Sequence, residues 1–312
     1  MLKKIKDFFL EMLYAPSGTA LTVFAIMLLI SIFSLINTTL LFGSNAFMLV
    51  MIPIAFIVPM LVFWHSRGGK KYLPTIHFEL PQKVHIPTVL FSFALIILGS
   101  ALIKMLVFEG KYTEFHVFNT FFAHRNGSFW NDMYITLAFC IVVPVLEGLV
   151  FRGALIREHD KRGRLVAGAF SSIMFALLGF SFEELLPRFF IGVMLCIILY
   201  ETDSIVISIA LHIAYNFFAV FFEPTVISVK TVSSNFALFA FLWTIATIVV
   251  AIFAFTHLSH LYRKYSHDKF GENEVRSTPR EKSFWNLAEL CTTIPALACI
   301  VLFFVTTLLV GI

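Results

Sequence analysis

The chain has 312 residues, 59% of them hydrophobic and only 13% charged, and its net charge is +4. Its mean hydropathy is +0.89. A soluble domain carries about 25% charged residues, and a soluble chain of this size cannot hide so much apolar surface from water. This excludes a cytosolic globular enzyme, a secreted disulfide scaffold and a disordered protein. What remains is an all-α, polytopic transmembrane helix bundle.

A helix needs about 20 apolar residues to cross the hydrocarbon. Residues 1–18 open with Lys3, Lys4 and Lys6, and Asp7 and Glu11 interrupt the apolar run. That pattern predicts an amphipathic segment on the inner leaflet, not a cleaved signal. About nine spans follow, at roughly 19–42, 45–64, 86–107, 132–155, 164–181, 185–200, 203–223, 235–258 and 290–311. The division is three N-terminal spans and an outer segment over 19–130, a four-span core over 131–223, and an outer loop, two spans and a polar inner loop over 224–312. The outer segment 108–131 is rich in Phe and carries the sequon Asn126-Gly127-Ser128.

With the N-terminus inside, 18 of the 23 Lys and Arg residues fall on inner segments. Lys104, Lys111, Arg125, Arg188 and Lys230 fall outside. This bias predicts a cytoplasmic N-terminus in a plasma membrane. Trp64, Trp130 and Trp285 lie at span ends, where amphipathic rings sit. The compact form and short loops suit a bacterial membrane. Cys140, Cys196, Cys291 and Cys299 lie in apolar stretches without a CxxC and read as small buried hydrophobes. No phosphate loop and no basic-aromatic surface for nucleic acid is present in the sequence.

Ionisable groups inside a membrane are costly, so each is a functional candidate. The fourth span carries Glu147 and Arg152, and the seventh carries His212 and Asn216. A carboxylate near mid-membrane is a candidate general base. Arg152 follows Glu147 by five residues, about 140° around an α-helix. It therefore either pairs with another helix or snorkels as a topology anchor. His212 and Asn216 share one helical face. They serve either as an interhelical polar pair or as two donors to one oxyanion. Glu147 and His212 supply at most two metal ligands, fewer than the three of a catalytic zinc site. Neither a metal nor a cofactor is expected.

These residues carry a resemblance to the CPBP family of intramembrane proteases, also called the Abi or CAAX-protease-like family. Glu147-Gly148-Leu149-Val150-Phe151-Arg152-Gly153 resembles its EExxxR motif, and His212 and Asn216 match its HxxxN motif. Phe175 to Gly179 stands at the FxxxH motif, and Arg188-Phe189-Phe190-Ile191-Gly192 resembles the link between the second and third motifs. The likeness covers about residues 130–222. Two positions depart from it: Gly148 replaces the second Glu, and Gly179 replaces the second-motif His.

The resemblance implies that Glu147 activates water, that His212 and Asn216 hold the oxyanion, and that Arg152 fixes a helix or the substrate. Two functions follow. One is peptide-bond hydrolysis in membrane-associated peptides or proteins. The other is a catalytically inactive relative that serves as a membrane scaffold or regulatory partner of another membrane protein. The retained Glu147, His212 and Asn216 favour the first, and Gly148 and Gly179 favour the second.

Overall fold

The computed structural model describes residues 17–40, 45–68, 85–107, 136–223, 235–270 and 280–310, with a few isolated positions between them. The expected inner-leaflet segment (residues 1–16), nearly all of the outer segment 108–131 and the middle of the polar inner loop lie outside the described residues. The helices are α1 Gly18–Leu40, α2 Asn45–Ser66, α3 Ile86–Val107, α4 Ala138–Arg162, α5 Arg164–Leu177, α6 Phe182–Thr202, α7 Ile205–Phe221, α8 Phe236–Phe270, α9 Arg280–Cys291 and α10 Ile294–Val310.

The apolar stretches marked in the sequence fall on these helices, the last of them, 290–311, divided between the end of α9 and α10. Among the described residues, α1, α2, α3, α4 and α8 are each long and apolar enough to cross a bilayer. The bent pair α9–α10, with 64° between its halves, gives up to one more. Helices α5 and α7 are apolar but shorter. The protein is thus an all-α, multi-pass membrane bundle.

Local chemistry sets the breaks in the α4–α7 segment. Gly163 alone separates α4 from α5, at φ 112° and ψ 138°, a conformation that a side chain would strain. Phe180 takes a positive φ of 49° at the end of the next turn. Ser181 then caps α6, its hydroxyl accepting from the Glu184 amide at 3.3 Å, as the Ser-x-x-Glu spacing favours. Asp203 ends α6 in the left-handed conformation, which Asp tolerates better than most residues. Such short connections force consecutive helices to run antiparallel and in contact.

Helix α6 is the hub of the bundle. It packs against α5, α3 and α7, and Ser208 of α7 donates to the Leu195 carbonyl of α6 at 3.0 Å. On one side, α1 packs on α2 and α10, joined by the Ser31–Thr306 hydroxyl pair at 3.0 Å. On the other, α8 leans on α3 through the stacked rings of Phe91 and Phe253 and a Trp243 indole bond to the Leu98 carbonyl at 2.9 Å. Large apolar side chains of α2, α8 and α10 remain exposed on the outside of the bundle. Water would penalise such a belt and lipid does not.

Candidate functional site

Helix α4 is irregular where the polar residues sit. It runs as a π-helix over Ala138–Val142, as an α-helix over Val143–Glu147, and as a π-helix again over Gly148–Leu155. Insertions of this kind cluster at functional sites. They also revise the phase expected for Arg152. A π-turn bonds residue i to i+5, so the fifth residue returns closer to the face of the first. Arg152 is thereby turned closer to the face of Glu147 than an α-helix would turn it. The α-helical count of about 140° does not apply here.

Glu147 is buried, at 1% exposure. One carboxylate oxygen, Oε1, accepts from Arg188 Nη2 at 2.8 Å. The other, Oε2, is 3.5 Å from His212 Nε2, beyond an ordinary hydrogen bond. The His212 ring meets Phe175 edge-on, with centroids 5.4 Å apart. Both guanidinium groups lie over that same ring, Arg152 and Arg188 each 4.5 Å from its centroid. Glu147, Arg152, Arg188 and His212 thus gather around Phe175. Asn216 is placed differently: its amide donates to the Phe139 carbonyl in the first π-turn, at 2.9 Å. The two members of the His-x-x-x-Asn pair reach different partners.

The two glycines are occupied positions. A Cβ on Gly148 would collide with Cγ1 of Ile209 on α7. The missing side chain admits Ile209 and lets α7 close on α4, one turn before the approach of His212 to Glu147. A Cβ on Gly179 would lie 2.6 Å from Cδ of Arg188 and 3.1 Å from its Nε. The stem of Arg188 therefore fills the space in which a side chain at position 179 would begin.

In the sequence, Arg188 reads as an outer-side positive charge and as the start of the link between the second and third motifs, not as a partner of Glu147. Two signals could have placed it in the site. Position 179 lacks a side chain, and a carboxylate buried in lipid needs a cationic partner. Lys104, also counted as outside, is buried. It bridges Glu184 of α6 at 2.9 Å and Glu223 at 2.8 Å. Among the described residues, no group of three or more His, Cys, Asp or Glu is arranged to hold a metal ion.

Residues 128–218 match the family described as type II CAAX prenyl endopeptidase Rce1-like. The match spans the four-helix core α4–α7 and contains all four candidate residues. It agrees with the CPBP resemblance read from the motifs. No curated protein matches the chain, and no solved structure matches it.

Proposed function

We propose that this CAAX-protease-like membrane protein does not hydrolyse peptide bonds. In this reading it uses the protease-type bundle to bind another membrane component. The observation that carries this is Arg188: its guanidinium occupies one oxygen of Glu147, and its stem fills the space beside Gly179. Glutamate-assisted hydrolysis needs a water against that carboxylate and a second group to orient it. Losing such assistance costs about 10²–10⁴-fold in rate. The engagement of Asn216 with a backbone carbonyl supports the same reading, because one of its two N–H donors is already committed there.

Glu147, Arg152, His212 and Asn216 then act as interhelical and ligand-facing polar groups. The bias of Lys and Arg supports a cytoplasmic N-terminus in a plasma membrane. The competing hydrolase reading is favoured by one observation, the approach of His212 to Glu147.

Proteoliposomes of the full chain test the choice. They would be incubated with membrane-anchored peptides, including a prenylated one, and new peptide termini read by mass spectrometry. The expected result is no cleavage above that of Glu147→Gln. Cleavage by the wild type that Glu147→Gln abolishes would overturn the proposal.

A further inference from the structure

Arg152 is 3% exposed. Nε, Nη1 and Nη2 of its guanidinium all lack a hydrogen-bond partner among the described residues. An arginine carries five N–H donors and is not deprotonated in proteins. Buried donors left unpaired are costly, and a buried charge more so. In the same site, Nδ1 of His212 is also buried without a partner among the described residues. The Oε1 oxygen of Glu147 accepts from Arg188 and not from Arg152.

We infer that Arg152 is the anchor of an intramembrane site for one monoanionic carboxylate, with His212 and Arg188 as its neighbours. This rests on the non-hydrolytic reading above and names the class of ligand. A guanidinium fork matches a carboxylate in shape and charge. Arg188 is the partly exposed member, with 18% of its side chain accessible, so the carboxylate enters along Arg188 and ends on Arg152. Phe175 provides the apolar floor under both guanidiniums. The carboxylate has two sources, a small soluble acid or the head of a fatty acid.

The test uses the full chain in nanodiscs of neutral phosphatidylcholine, with labelled oleate, labelled acetate and the neutral competitor oleyl alcohol. Saturable binding of oleate at one per chain, undisturbed by oleyl alcohol, is the expected result if a fatty acid is the source. Saturable binding of acetate is expected if a soluble acid is. In either case Arg152→Gln should weaken binding by roughly tenfold to a hundredfold, the worth of one charge-assisted hydrogen bond. Arg152→Lys, which keeps the charge without the fork, should fall between.

Three results would overturn the inference: no saturable binding of either acid to the wild type, displacement of oleate by oleyl alcohol as readily as by oleate itself, or unchanged binding in Arg152→Gln. The first two are measured on wild type, so they stand even where a variant fails to fold. A positive cleavage assay would overturn the non-hydrolytic reading without touching these binding results.

Discussion

Helix α6 carries two charges one turn apart, and each enters a different buried cluster. Glu184 joins Lys104 and Glu223, and Arg188 joins Glu147, Arg152 and His212. In the first cluster the cation is bridged by two carboxylates that tie α3, the start of α6 and the end of α7 together. In the second, one carboxylate is shared unevenly: Arg188 has it, and the guanidinium of Arg152 is left with an aromatic ring. A cluster whose cation is fully engaged holds helices in place. A cluster that buries three unpaired donors on one arginine is poised for something from outside. Burial of charge is therefore not one signal, and what separates the two cases is whether the buried cation is paired with a carboxylate.

The sharpest way to test this contrast is to remove the cation of the closed cluster. Lys104→Met takes the cation away from Glu184 and from the buried carboxylate of Glu223, and breaking a buried pair in this way costs about 3–5 kcal/mol. Thermal unfolding in detergent should show this as a large drop in midpoint. Adding Glu223→Gln to Lys104→Met should recover a good part of the loss, whereas a loss unchanged in the double variant would mean that Lys104 acts through packing.

The next effect belongs to the two glycines. Gly148→Ala pushes a methyl into Ile209 at a helix–helix contact, and overpacking of this kind costs about 1–3 kcal/mol. Ile209→Ala in the same chain should relieve the clash, at the expense of a smaller side chain in the core. Gly179→Ala meets the stem of a long, flexible side chain and should cost less than Gly148→Ala. If Arg188 is the obstacle, the penalty at 179 should vanish in an Arg188→Ala background. An equal penalty in both backgrounds would place the strain in the backbone.

The smallest expected effect tests the hub itself. Ser181→Ala removes the hydroxyl that caps α6 and should cost about 1 kcal/mol. Because that turn positions both Glu184 and Arg188, this variant should weaken the two clusters together. A loss of stability with no change in carboxylate binding would show that the second cluster is held by α4 and α7 instead.

Much of this protein is legible in its amino-acid order. The apolar runs and the scarcity of charge require helices in lipid, since a helix is the element that pairs its own backbone polar groups there. The motif residues Glu147, His212 and Asn216 stand out for the same reason, as rare polar groups in apolar spans. The run around Ser181 signals the α5–α6 break.

Other features depend on packing between helices. The π-turn of α4 brings Arg152 nearer to Glu147 than α-helical phase allows, and a local pattern of residues does not specify that insertion. Gly148 and Gly179 read in the sequence as losses. In the folded chain, Ile209 and Arg188 enter the space from other helices, and only the tertiary structure decides which side chain fills a gap. Lys104 and Arg188 have the hydropathy of loop residues. Their place inside the bundle, buried for Lys104 and half-buried for Arg188, follows from partners 41 to 119 positions away along the chain. Sequence alone determined what kind of solvent this chain lives in and which polar groups it keeps there. The fold decided which of them are paired, because pairing is a matter of distance between helices and not of order along the chain.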